Sequence, residues 1–160
     1  MVTIRKFDNQ DIDYILSNWA NTFRLSGYWK TATKEKLTES FKSWENEKDD
    51  QGRPRVKYCI EAEIENKKIP VGVIFYSYTI DGKLTFNIYI DERYRKNGIA
   101  VSATKLAEEK LKEKGITKVY SSSYYKNTPS VELHKKLGFK FIKEEYSPNG
   151  NLMFRWEKEL

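Results

Sequence analysis

At 160 residues, 39% apolar, 14% aromatic and 32% charged, the chain can fold as one domain with a buried core, which excludes the disordered and fibrous classes. Twenty-nine basic residues against 23 acidic ones leave a net charge of +6, which favours anionic partners by long-range steering, although most of that charge reads as a solvated lysine-rich surface. One cysteine, Cys59, and one histidine, His134, exclude a disulfide framework and a cysteine/histidine metal cluster, so no metal is expected. No apolar run nears the roughly 20 residues that span a bilayer, so no membrane association is expected. The opening MVTIRKFDNQ has no apolar core of an export signal, and a cytoplasmic protein is expected.

Residues 2–7 form a short strand-like run. Asp8 and Asp11 then mark a helix start, because carboxylates suit the unpaired N–H groups there. Ile12, Ile15, Leu16, Trp19 and Phe23 repeat at helical spacing up to Gly27, and a second helix is expected from about Thr33, with Leu37, Phe41 and Trp44 on one face. The charged segment ENEKDDQGRP reads as a loop. Val56, Tyr58, Ile60, Ala62 and Ile64 alternate as a half-buried strand does, Asn66 and Lys67 turn the chain, and VGVIFYSY is a continuous apolar run suited to a central strand. Asp81-Gly82 predicts a type I′ hairpin, whose two central residues both need positive φ, leading to the alternating Leu84, Phe86, Ile88 and Ile90. Cys59 reads as a small buried apolar residue.

The pattern changes at Arg93. A glycine-bearing turn precedes a helix with Ile99, Ala103, Leu106, Ala107 and Leu111 on one side, closed by Gly115. A strand is expected near Lys118–Ser122, then a short helix with Thr128 as N-cap and Pro129 at its first position, ending before Gly138. Phe139–Tyr146 and Leu152–Trp156 flank SPNGN as a second hairpin. This order of elements implies an α+β sheet with helices on both faces.

The sharpest chemical signal is Arg95-Lys96-Asn97-Gly98-Ile99-Ala100, set between a strand and a helix. The first N–H groups of a helix lack internal partners and the helix dipole favours an anion there, so this turn can cradle a phosphate, with Arg93, Arg95 and Lys96 adding charge. The hexapeptide alone fits an ordinary strand-to-helix turn equally well. It is neither a P-loop nor a dinucleotide fingerprint.

Further along stands Asn127-Thr-Pro-Ser-Val-Glu-Leu-His-Lys-Lys-Leu-Gly-Phe139. An alternating strand, an R-x-x-G-x-A turn, a helix, a strand and then N-x-x-S-x-x-L-H-K-K-L-G-F together resemble the GNAT superfamily of acyl-CoA-dependent N-acyltransferases. The resemblance is specific over residues 71–146. Residues 1–50 match in layout only, and the SNWANTF stretch is weakly similar to uncharacterised members from phage genomes. The resemblance implies one domain over residues 1–160: a mixed, mostly antiparallel sheet of about seven strands flanked by four helices.

It also implies acetyl-CoA as acyl donor. The pyrophosphate would lie on the amides from Arg95 to Ala100, that is Arg95, Lys96, Asn97, Gly98, Ile99 and Ala100. The pantetheine arm would pair, like a missing strand, with backbone groups of Ile88, Tyr89 and Ile90 on a kinked strand. A free N–H of that strand, assigned to Tyr89, would polarise the thioester carbonyl. Asn127 would hydrogen-bond pantetheine or the acceptor side, and also reads as a turn residue before a helix. Where the family commonly has a tyrosine acid, this chain has His134, which fits either a proton shuttle or a packing residue.

No general base stands out. The position where some members place a glutamate is Leu84, and Glu61 and Glu63 on the preceding strand, or a water chain, are the remaining candidates. Ala103 replaces a larger aliphatic residue usual in the cofactor helix. Tyr28 and Trp29, between the two N-terminal helices, would line an acceptor pocket. The expected acceptor is an amine on a small molecule or peptide, and monomer and homodimer both fit. A GNAT-fold module with weak or no catalysis, binding acetyl-CoA or a protein partner, is the alternative reading. Nucleic acid is not expected, since no RNP, helix-turn-helix or zinc signature accompanies the positive charge.

Overall fold

The computed structural model describes residues 1–8, 10, 11, 13, 14, 17, 35, 38, 39, 42, 43 and 46–160. Its strands are β1 (Val2–Lys6), β2 (Val56–Ile64), β3 (Lys67–Tyr78), β4 (Leu84–Ile90), β5 (Lys118–Tyr124), β6 (Lys140–Tyr146) and β7 (Leu152–Glu159). Two helices, α1 (Ile99–Glu113) and α2 (Thr128–Lys136), follow β4 and β5 respectively. Of the two expected N-terminal helices, only scattered helical positions fall within the described residues, among them 10, 11, 13, 14, 35, 38 and 39. Tyr28, Trp29 and nearly all of SNWANTF lie outside them.

The seven strands form one sheet in the order β1-β2-β3-β4-β5-β7-β6. Every pairing is antiparallel except β4–β5, where α1 carries the chain over the sheet and returns it in the same direction. Apolar residues alternate along β4, so Leu84, Phe86 and Ile90 join Ile99, Ala103, Ala107 and Leu111 of α1 in one core. Leu137, Phe139 and Trp156 extend that core beneath α2. Glu108 and Lys158 tie α1 to β7 with two contacts of 2.6 and 2.8 Å. Cys59 is buried, as its sequence setting suggests.

The opposite face carries a row in register across four strands: Arg5, Cys59, Val73 and Tyr89. The helix start at Asp8 meets the Arg5 end of that row. Asp8 N–H donates to Asp11 Oδ2 and Gln10 N–H to Asp8 Oδ1, the reciprocal cap expected from the two carboxylates. Asp11 is held in turn by the Arg5 guanidinium, with nitrogen–oxygen distances of 2.8 and 2.7 Å, while Arg5 Nε donates to Glu61.

Two local expectations are corrected. The type I′ turn stands at Glu65-Asn66, with φ of 49° and 61°, and not at Asp81-Gly82, where only Gly82 has positive φ. There Gly82 N–H donates to Thr79 O and Thr79 N–H to Lys83 O, a tight turn followed by a glycine bulge, which the Thr79 hydroxyl favours by accepting Lys83 N–H. Ser147 to Asn151 repeat the arrangement between β6 and β7. The cap of α2 is Asn127 and not Thr128: Asn127 Oδ1 accepts Ser130 N–H at 3.3 Å, which puts Thr128 and Pro129 in the first turn.

Candidate active site

The sheet opens between β4 and β5. Thr85 and Tyr120 are the only registered pair of that parallel ladder, and the strands diverge beyond it. Edge backbone groups of β4 are thereby left facing a gap. Asp91 N–H donates to Val71 O, which fixes the alternation: residues 91, 89 and 87 turn their amides toward β3, and residues 90, 88 and 86 turn theirs toward the gap. Two side-chain contacts agree, since Ser121 Oγ reaches Phe86 O at 3.2 Å and Arg95 Nε donates to Ile90 O at 2.9 Å. The expected role of the Tyr89 N–H is therefore corrected: that amide belongs to the β3 ladder. The amides of Ile88 and Ile90 face the gap. The β3–β4 register runs without a shift, so β4 carries no bulge, and the opening arises from the divergence of β5.

At the mouth of the gap the chain makes a 3₁₀ turn, Glu92–Tyr94, and enters α1. The turn is built on Asp91, which is 1% exposed and accepts from both the backbone N–H and the Nε of Arg93. Arg93 thus balances a buried carboxylate, and the free positive charge here is smaller than the sequence suggests. Lys96 and Gly98 both take left-handed φ, 63° and 72°, so successive amides from 96 to 100 fold into a concave nest above the helix end, while the Arg95 N–H, expected to join them, is spent on Glu92 O. An added Cβ at Gly98 would meet nothing within 4 Å, so no other part of the described chain packs against the turn at that point. Pyrophosphate fits that donor set by its chemistry: successive N–H groups without a backbone partner at the start of a helix.

α2 brings His134 against the far end of the gap. Its ring is 4% exposed, stacked on Trp156 at 5.2 Å and 17°, with Phe86 and Phe139 at its edges. Nδ1 lies 2.7 Å from Ser130 O, an atom that can only accept, so Nδ1 carries a proton. Nε2 lies 2.7 Å from Ser121 Oγ. Asn127, at the other end of α2, commits its side-chain oxygen to the cap. Ser121 was missed in the sequence; its signal was a run of serines in a strand, two of which, Ser121 and Ser123, fall on the buried face and bond His134 and Trp156.

Among the described residues no group of His, Cys, Asp and Glu could hold a metal ion, and no helix is long and apolar enough to cross a membrane. The candidate bases do not gather at the gap. Glu61 is paired with Arg5 at the β1 edge, and Glu63 is exposed opposite Lys68. Leu84 is buried at the start of β4.

A family model described as an acetyltransferase (GNAT) domain matches residues 1–140. The chain belongs to the GNAT acetyltransferase family. No curated protein sequence matches it. Among solved structures the fold aligns with a domain from Methanocaldococcus jannaschii at 21% identity, covering 100% of this chain and 99% of that one, TM-score 0.77. It aligns with spermidine N-acetyltransferase from Vibrio cholerae, solved with CoA and spermine, at 19% identity over 99% and 95% of the two chains, TM-score 0.72. PaiA N-acetyltransferase from Thermoplasma acidophilum, solved with coenzyme A, matches at 18% identity over 100% and 99%, TM-score 0.70.

Burial gives this GNAT domain a pH signature. It pushes the His134 imidazole below its ordinary value, outweighing the donation to Ser130 O that favours the charged form. The unfolded chain then takes up the proton first. Stability is full above about pH 6.5 and declines as the pH falls through that value toward the folded-state one. Urea titrations between about pH 7.5 and pH 5.5 should show this loss in the wild type and not in His134→Phe. Equal slopes would mean that the ring is as well hydrated in the fold as out of it.

Proposed function

We propose that this GNAT domain, acting as a single unit over residues 1–160, moves an acetyl group from acetyl-CoA to a primary amine on a small molecule or peptide. The observation that carries the reading is the β4–β5 gap, open at the amide nest of residues 96–100 and lined on one wall by the Ile88 and Ile90 backbone. Phosphates seated on the nest place the pantetheine amides alongside β4, where Ile88 and Ile90 offer strand-like partners. The neutral amine attacks the thioester carbonyl directly. Charge developing on the carbonyl oxygen is met by a gap-facing N–H, either that of Ile88 or that of Ile90, pre-oriented by the β3–β4 ladder. The resulting tetrahedral intermediate collapses to amide and thiol, so one proton must pass from nitrogen to sulfur. His134 is the titratable side chain packed at that end of the gap, and it holds or passes that proton. Asn127, at the start of α2, is the side chain we assign to hydrogen-bonding pantetheine through the amide nitrogen that the cap leaves over.

Thermal-shift titration with acetyl-CoA, desulfo-CoA and ATP tests the cofactor half. Both CoA species should stabilise the protein, whereas ATP should do so weakly or not at all. No shift with either CoA species at millimolar concentration would remove the proposal. For the catalytic half, His134→Ala should lower turnover by on the order of 10²-fold while changing the affinity for acetyl-CoA only modestly. Unchanged turnover with an amine found by library screening would remove the proton role of His134.

A further inference from the structure

We propose that the Ser121 hydroxyl, backed by His134, is the group that meets the sulfur of the acyl donor. This deepens the proposed function and rests on it. Ser121 stands at the apex of the gap, one residue past the Thr85–Tyr120 pair. Its Oγ lies 3.2 Å from Phe86 O, which points into the gap, so the hydroxyl borders the gap from the face that α2 covers. The amide nest lies at the opposite, open end. Phe86 and Ile90 are four residues apart, about 13 Å of strand. An extended two-amide arm anchored by its phosphates at residues 96–100 covers that length and delivers its acyl end to the apex.

His134 has no such access. The ring is enclosed by Trp156 from β7, Phe86 from β4 and Phe139 from the chain leading into β6. Nδ1 is committed to Ser130 O on its own helix, and Nε2 faces Ser121 Oγ alone among the described partners. No charged side chain is among these neighbours, and burial disfavours a standing imidazolium. Any proton exchanged between the ring and the gap therefore passes through the Ser121 hydroxyl.

The hydrogen positions follow from the acceptors. With Nδ1–H donated to Ser130 O, the neutral ring can only accept at Nε2, so Ser121 O–H points to it. Once Nε2 is protonated it donates to Ser121 Oγ, and the hydroxyl hydrogen is released toward Phe86 O or the gap. Two steps then balance. As the amine attacks, an N–H bond of the intermediate breaks, its proton goes to Ser121 Oγ, and the Ser121 proton goes to Nε2. As the C–S bond breaks, its electron pair leaves with sulfur, Ser121 O–H protonates the sulfur, and Nε2–H restores the hydroxyl. Serine and imidazole end as they began, and no other reactant is needed.

His134 is the only histidine in the chain, so long-range ¹H–¹⁵N spectra of uniformly labelled protein give a single imidazole to follow. The full chain is titrated with CoA and, separately, with desulfo-CoA, which lacks the sulfur. Backbone amide shifts at residues 96–100 report binding independently. The inference expects both to bind, only CoA to shift the Nε2 signal, Ser121→Thr to keep that response and Ser121→Ala to lose it while still binding CoA. It is overturned if both ligands bind and the imidazole responds equally to them or to neither. It is also overturned if Ser121→Ala retains the CoA-specific shift, which would put the sulfur on His134 itself. If neither ligand moves the amides of residues 96–100, the cofactor reading fails first and this inference falls with it.

Discussion

Gly98→Glu abolishes acetyl-CoA binding, the largest functional effect expected of any single change in this chain. Gly98 caps α1 from the left-handed region, φ 72°, and an added Cβ would meet nothing within 4 Å. A carboxylate on the central residue of the turn competes with the phosphates for the turn's own amides and repels them. Loss of two charge-assisted hydrogen bonds, at about 1.5–3 kcal/mol each, raises Kd by on the order of 10²–10⁴. Gly98→Ala separates this from backbone strain. An L-residue at that φ costs about 1–2 kcal/mol of stability, but its methyl group meets nothing, so acetyl-CoA binding should survive. Calorimetric titration of both variants, with urea midpoints alongside, checks the pair. Binding of wild-type strength by Gly98→Glu would show that residues 95–100 are an ordinary turn.

The features legible in the sequence were those set by local chemistry. The Asp8/Asp11 cap, the alternation of β2 and β4, and the glycine turn before α1 are consequences of side chains within a few residues of one another, and each stands where its pattern placed it. Turn details were less legible because they depend on a third partner. Asp81-Gly82 has the composition of a type I′ turn, yet the Thr79 hydroxyl diverts the chain into a bulge, and Glu65-Asn66 takes up the I′ geometry with no glycine at all. Asn127 displaces Thr128 as cap because its amide oxygen reaches the Ser130 N–H.

The candidate site was legible in its parts and not in their orientation. Which amides of β4 face the gap is decided by one bond, from Asp91 N–H to Val71 O, between residues 20 positions apart, and that bond turns the Tyr89 amide to β3 and the Ile88 and Ile90 amides to the gap. The charge of Arg93 looked available until its pairing with the buried Asp91 was seen. His134 looked like a lone titratable group, and its meaning changed once β5 brought Ser121 to Nε2. For the β4 amides and for His134 the deciding contact crosses between elements, where spacing along the chain carries no information; the Asp91–Arg93 pair lies within one turn and is decided by the burial of Asp91.

Gly72→Ala is expected to cost stability and acetyl-CoA affinity together. Gly72 pairs with Ile90 at a non-hydrogen-bonded position of the β3–β4 ladder, where the two backbones approach most closely. A Cβ built on it would stand 2.6 Å from Tyr89 O, 2.8 Å from Ile90 Cδ1 and 3.2 Å from Ile60 Cδ1. Strand propensity alone argues that Gly72→Ala should stabilise by about 0.5–1 kcal/mol. The clash wins, because the nearest atom is a backbone oxygen that cannot move unless β4 leaves β3. Overpacking of this kind costs about 1–3 kcal/mol for alanine and more for valine. The strand forced to move is the one whose outer edge carries the Ile88 and Ile90 amides, so acetyl-CoA affinity should fall together with stability. Val73→Ala is the matched control: it removes about 2 kcal/mol of core packing from the adjacent residue without pushing on β4, and it should bind acetyl-CoA as the wild type does. Urea midpoints and calorimetric affinities for the two variants read both quantities. A neutral Gly72→Ala would mean that β3 and β4 are held less closely than the structure places them, and equal affinity losses in both variants would tie binding to stability and not to the position of β4.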